Sequence, residues 1–217
     1  MVVGAGLGIF VMLEKYFIEQ VSYSQAMQLV IDNHYLHRKA PCSLAYGLFH
    51  KDDPVTCVGV VVYGTPASSA LRKGLCGVEQ VSNVYELTRL WVDDGVPKNG
   101  ESFLIGNTLR LLDKEIVVSF ADKAANHVGV VYQATNWFYT GLSAKRTDWH
   151  VEGIDKHGHT WADKYSAVEM RELFGDRFSL KERSRKHRYV FFNASRKRKK
   201  ELLSLLAYEV LPYPKGI

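Results

Sequence analysis

A mixed central sheet with helices on both faces, α/β or α+β, is the fold this sequence predicts. Three observations carry it. Short apolar runs rich in β-branched residues recur along the chain, segments of helical length with one apolar face lie between them, and turn-forming residues separate the two kinds. With 217 residues and 47% hydrophobic content the chain can bury one sizeable core, so one domain with an attached tail is expected.

The apolar opening Met1 to Leu13 is too short for a membrane span and lacks the basic flank and small-residue cleavage site of a signal peptide. Residues 1–12 read either as a disordered extension, with translation starting at Met12, or as an extra edge strand. The body is expected over 13–195, with a basic helical tail over 196–217. Phe17 to Tyr23 alternates weakly, and Ser24 is placed to cap a helix over Gln25 to Tyr35 with Ala26, Leu29 and Val30 on one face. Leu44 to Phe49 and Thr56 to Tyr63 read as a hairpin. Ser68 to Gly77 reads as a loop or short helix, Val84 to Val92 as a strand, and Ser102 to Leu112 as a helix. Tyr189 to Asn193 is a last strand and Lys199 to Tyr208 a helical end, while the second run with which Trp149 to Gly153 pairs is left open.

Between them lies the segment richest in chemistry, Ser119 to Gly141. Ile116 to Phe120 reads as a buried strand with Asp122 at its end, and Val130 to Tyr139 as a helix stopped by Gly141. Strand ends beside helix N-termini gather ligands, because the strand fixes side chains and the helix leaves N–H donors free. Asp122, His127 and Tyr132 are therefore candidate site residues.

Alternation along YELTRLWV places Leu87, Arg89 and Trp91 on one face and Glu86, Thr88 and Leu90 on the other. A buried Arg89 needs an anion, either an internal partner such as Asp122 or a substrate phosphate or carboxylate. His34 and His37, with Asp122 or His127, have the residue types of a two-histidine, one-carboxylate metal site, although isolated histidines are more often structural. His157 and His159 are weaker candidates of the same kind. The amides of Gln133 and Asn136 suit an adenine edge beside Trp137 or Tyr132, or alternatively structural hydrogen bonds. No GxxxxGK[ST], HExxH or GxSxG occurs, which sets aside P-loop, zincin and serine-hydrolase chemistry.

Three cysteines without a CxxC pair make neither a disulfide framework nor a cysteine-rich zinc site, favouring a reducing, cytoplasmic compartment. Net charge is +5, yet ten of the Lys and Arg residues fall between Lys181 and Lys200, and without that segment the chain is net negative. Its run Lys197, Arg198, Lys199 and Lys200, with Tyr189, Phe191 and Phe192 nearby, reads as a nucleic-acid contact or as a solvated face.

The ordered motifs HYLHR, YGLF, VGVVVYG, ELTRLWV, ESFLIGNTLR, FAD and GVVYQATNWFYTG resemble the Mom family of Mu-like bacteriophages over residues 16 to 193. The resemblance implies a fold similar to the Gcn5-related acetyltransferases. It also implies conversion of adenine N6 in double-stranded DNA to a methylcarbamoyl derivative that blocks restriction enzymes. Arg89, Asp122 and Tyr132 would then belong to the active site. Iron would be the cofactor, with an HYLHR histidine, His37 before His34, as a ligand and His127 nearby. The acetyltransferase phosphate loop is not matched: DDGVPKNGESFLIG sets Gly100 and Gly106 too far apart and adds two aspartates. Acetyl-coenzyme A is therefore a doubtful donor and the donor is left unassigned, although N–H groups near Gly100 and Ser102 could hold another anion. The competing functions are an acetyl-coenzyme A-dependent N-acetyltransferase and a non-catalytic DNA-binding protein. No membrane partner is expected, and a homodimer is compatible with the sequence.

Overall fold

The computed structural model describes residues 12–154 and 161–215. The expectations for residues 1–11, including the extension or edge strand, and for His157 and His159 lie outside the described residues.

Four strands form an antiparallel meander: β1 (Tyr16–Gln20), β2 (Leu44–His50), β3 (Asp53–Gly64) and β4 (Val84–Val92). β4 then pairs in parallel with β5 (Ile116–Asp122), and β9 (Lys186–Phe192) and β6 (Phe138–Leu142) complete a seven-stranded sheet in the order β1-β2-β3-β4-β5-β9-β6. Helices cover both faces, as the sequence predicts. On one face α1 (Tyr23–Asn33) seats Ala26, Met27 and Val30 on Ala45, Val60 and Val62, while α2 (Ser69–Cys76) seats Leu75 and Cys76 beside Val84 and Ile116. On the other face α3 (Gly100–Thr108) and the short α4 (Val130–Ala134) enclose the largest core, around Tyr63, Leu87, Leu104, Tyr132 and Trp137.

The parallel pairing of β4 and β5 covers only Val84–Leu87 against Ile116–Ser119, after which each strand continues without the other. A bulge starts the separation. Val62 pairs with Arg89 and Tyr63 with Leu87, so Thr88 is an extra residue, and the alternation read from the sequence breaks there. Leu87 and Leu90 consequently share the α3 face, and Trp91 packs against the α1 cluster. Leu87, Arg89 and Trp91 therefore do not share a face, contrary to the sequence expectation.

Other boundaries differ for local reasons. Ser22, not Ser24, caps α1, accepting the Gln25 N–H, and the helix ends at Asn33 because His34 turns to extended backbone. The helix expected over Val130–Tyr139 stops at Ala134. Asn136 adopts φ +61°, and Phe138–Leu142 is instead an edge strand on β9. Between β6 and β9 a small arm is inserted. It comprises β7 (Thr147–Val151), α5 (Ala167–Phe174) and β8 (Phe178–Glu182), with its own apolar centre at Val151, Met170 and Phe178. The sequence reading gave β7 no partner and missed α5 and β8.

The expected tail is built into the body. In α6 (Arg196–Leu205), Leu202 is fully buried beside Leu75, and beyond the helix Leu211 N–H donates to Tyr139 O and Tyr213 Oη to Trp137 O. Leu202 and Leu206 supply the apolar contact that a solvated tail would lack, while Leu203 and Leu205 stay exposed.

Candidate functional site

Where β4 and β5 part, a cleft of about 500 Å³ opens, walled by the loop after α1, the ends of both strands, and the turn leading into α4. Asp122, Arg89, Tyr132, His34 and His127 all line it, so five of the candidates, drawn from distant parts of the sequence, come together there. Gln133, Asn136 and Trp137 do not line it. Gln133 Nε2 instead donates to Val128 O and Tyr189 Oη, Asn136 forms the left-handed turn before β6, and Trp137 is fully buried. Their placement away from the cleft agrees with the structural alternative for these residues rather than with adenine contact. The aromatic ring open to solvent at the cleft is Tyr35, which is 51% exposed.

The expected pairing of Arg89 with Asp122 is not formed. The antiparallel register sets Lys186 opposite Asp122, and its Nζ lies 3.5 Å from the carboxylate. Burial alone would raise the Asp122 pKa, but hydrogen bonds from Ser184 Oγ and the Ala124 N–H, with Lys186 beside them, outweigh it and hold the carboxyl below its usual range. Arg89 is engaged by main chain: Nη1 donates to Thr88 O at 2.6 Å, and Nη2 to Arg38 O and Lys39 O at 3.4 and 3.3 Å. Its buried Nε has no hydrogen-bond partner. Arg89 thus latches the loop after α1 onto the β4 bulge, and Thr88 Oγ1 adds a bond to Pro41 O in the same loop.

Glu86 lines the cleft and was not singled out in the sequence reading. Burial pushes its pKa up, only partly opposed by the charges of Lys186 and Arg89. It was legible by the reasoning applied to Arg89, since a charge inside an apolar strand needs an explanation. Across the cleft the Ser119 hydroxyl lies 3.0 Å from Leu87 O and 2.8 Å from Tyr132 Oη. A carbonyl can only accept, so the Ser119 proton goes to Leu87 and the Tyr132 hydroxyl donates to Ser119. Burial pushes the Tyr132 pKa up to about 12, which keeps that proton in place at neutral pH.

His34 is buried, and its Nδ1 accepts the Leu36 N–H at 3.1 Å. Burial first, then the charges of Arg89, His37 and His127, lower its pKa from 6.5 to about 4. The ring is neutral in the folded protein, so its stabilising contribution is complete above pH 6.5 and is lost as pH falls toward 4, where the unfolded chain takes up a proton first. Urea unfolding is expected to show wild type losing about 3 kcal/mol more than His34→Asn between pH 7 and pH 4. Parallel pH profiles for the two proteins would refute this assignment.

The first turn of α3 carries Gly100 and Ser102. Gly100 N–H donates to Pro97 O, Ser102 Oγ donates to Asn99 O, and neighbouring Glu101 is a cleft-lining residue, whose charge opposes an anionic ligand at this turn. The basic segment is not a single patch either. Lys186 faces the cleft, Arg188 is buried on Thr140, and Arg198 is paired with Glu115 and Glu201. Glu115 immediately precedes β5 and Asp122 ends it, which places the Arg198 end of α6 about 20 Å from the cleft.

A model of the Mom protein family matches residues 15–215. The chain belongs to the Mom protein family. "Methylcarbamoylase mom" of Escherichia phage Mu is 29% identical over 208 residues, covering 91% of this chain and 83% of the phage Mu protein. Among solved structures, Arabidopsis thaliana NAA60 in complex with acetyl-CoA has a TM-score of 0.47 at 9% identity, covering 82% of this chain and 99% of that one. An N-acetyltransferase from Staphylococcus aureus Mu50 has a TM-score of 0.44 at 10% identity, covering 82% and 97%.

For iron, the histidines of this Mom-family chain differ in what they offer. His37 Nδ1 lies 2.8 Å from Ile31 O and must carry its hydrogen there, leaving the Nε2 lone pair available. His34 has its Nδ1 lone pair engaged by Leu36, so Nε2 carries the hydrogen. Among the described residues no three His, Cys, Asp or Glu side chains come together as a metal-holding group. Among the described residues the donors do not fit a two-histidine, one-carboxylate centre.

Proposed function

We propose that this chain is a DNA-modifying transferase that converts adenine N6 in duplex DNA to a methylcarbamoyl derivative and so protects phage DNA from restriction. The observation that carries this reading is the Mom-family match over residues 15–215 of a chain whose candidate site residues converge on one cleft. A volume of about 500 Å³ lies within the range of small-ligand pockets, and an adenine must leave the duplex to enter it, because N6 takes part in base pairing.

The N6 lone pair is delocalised into the purine ring, which makes the amine a weak nucleophile. Whatever the donor, formation of the new N–C bond releases a proton from N6. Glu86, a cleft-lining carboxylate whose raised pKa makes it a better acceptor than an ordinary one, would receive it, and the charge of Lys186 acts on both Glu86 and Asp122. The Ser119–Tyr132 pair fixes the opposite wall. Exposed Arg38, Lys39 and Lys123 beside the mouth are the nearer phosphate contacts, and Lys197, Lys199 and Lys200 reach flanking duplex from the far end of β5.

Expression in bacteria, digestion of their DNA to nucleosides and mass spectrometry are expected to show a new deoxyadenosine derivative, absent from a Glu86→Gln strain. Only ordinary deoxyadenosine from cells containing soluble wild-type protein would overturn the reading.

A further inference from the structure

Two loops that flank the parted strands meet over the cleft through a single aromatic contact. Tyr35, in the loop after α1, and His127, in the turn before α4, have ring centroids 5.6 Å apart at an interplanar angle of 72°. Tyr35 is held from behind by His34, whose ring stacks on it at 4.4 Å and 27°. His34 is fixed in turn by the Leu36 N–H, which donates to its Nδ1. Tyr35 is nevertheless 51% exposed, so a large part of its aromatic surface faces the cleft mouth and solvent.

From this geometry we infer that the Tyr35 and His127 rings form the slot that receives the flipped adenine, with Tyr35 as its stacking face. The inference deepens the adenine-modification reading and rests on it. A base between two rings needs about 7 Å of centroid separation, so the present pair, 5.6 Å apart, has to open by only about 1–2 Å and turn toward parallel. His127 is exposed in a three-residue-turn connection and Tyr35 in an irregular loop, so neither rotation disturbs the sheet. The rim is cationic through Lys39 and Lys123, which suits the phosphates flanking an extruded nucleotide. Exposed aromatic faces are the sequence-tolerant way to hold a base, because every base has a π-face.

The test uses the full-length protein, bacterial cell extract as the source of the donor, and a duplex with a single adenine, either paired with thymine or opposite an abasic site; modification rate is followed in the extract, and duplex binding by anisotropy and thermal unfolding on the purified protein. Tyr35→Ala is expected to lower the modification rate on the paired duplex by about 10- to 100-fold while unfolding is unchanged. Tyr35→Phe and Tyr35→Trp, which keep a ring face, should rescue most of that loss. The abasic partner, which removes the pairing cost, should narrow the gap between wild type and Tyr35→Ala. Tyr35→Ala working at the wild-type rate overturns the slot while leaving the function intact. Equal losses in Tyr35→Phe and Tyr35→Ala also overturn it, because they assign the effect to the hydroxyl. If wild type modifies no adenine in either duplex, the functional reading falls and the slot with it.

Discussion

Arg89→Met is expected to lose at least about 100-fold of modification activity while leaving the thermal unfolding of the body nearly unchanged, since misplacing reacting groups by about 1 Å has that cost. The guanidinium bonds three carbonyls, two of them in the loop that carries Tyr35 across the cleft. Those two bonds are exposed, so water replaces them once the side chain is gone, and the global penalty is small. The local consequence is large, because the two guanidinium bonds to Arg38 O and Lys39 O are lost and the bond of Thr88 Oγ1 to Pro41 O must hold this part of the loop to β4. Methionine keeps the volume and apolar stem and removes only the fork. Arg89→Lys should fail almost as badly, because one ammonium cannot reproduce a planar fork reaching three carbonyls. Amide hydrogen exchange over residues 36–41 checks the mechanism: it should accelerate in Arg89→Met and remain slow in wild type. A variant with full activity and unchanged exchange would show that Arg89 is not the latch.

The latch and the slot were only partly legible in the sequence, for identifiable reasons. ELTRLWV and IVVSF stand out as strands because both faces of a central strand are buried and leave an apolar run. The bulge at Thr88 leaves no comparable mark, so counting alternate residues past it put Arg89 on the wrong face. Its guanidinium partners are carbonyls, which every residue possesses and no motif reveals. The pairing of Asp122 with Lys186 depends on strand register across a long sequence separation, which composition does not encode. Tyr35 escaped notice because the apolar spacing of α1 runs on past Asn33, whereas the backbone turns at His34 and moves Tyr35 from a helix face to the mouth of the cleft. The block of ten basic residues looks continuous only in sequence, since β9 and α6 send its members to opposite ends of β5.

Trp137→Ala should be the most destabilising single substitution considered, costing about 3–5 kcal/mol, which for a chain of this size lowers Tm by about 6–20 °C. The indole is fully buried between α4 and β6, with ring centroids 5.1 Å from Tyr132 and 5.6 Å from Phe191. Removing it leaves a cavity under the wall that holds the Tyr132–Ser119 pair, so collapse of that cavity would move the wall as well. Trp137→Phe separates packing from polar effects. Indole Nε1 has no hydrogen-bond partner, so phenylalanine gives up volume but no bond and should cost well under half as much as alanine. Differential scanning calorimetry of the two variants, paired with modification assays well below both unfolding transitions, distinguishes a core residue from a base-stacking one. A core residue predicts a graded loss of Tm with a near-normal KM for DNA in Trp137→Phe. A wild-type Tm in Trp137→Ala, together with a raised KM, would instead require the indole to face the substrate, which its burial in this fold prevents.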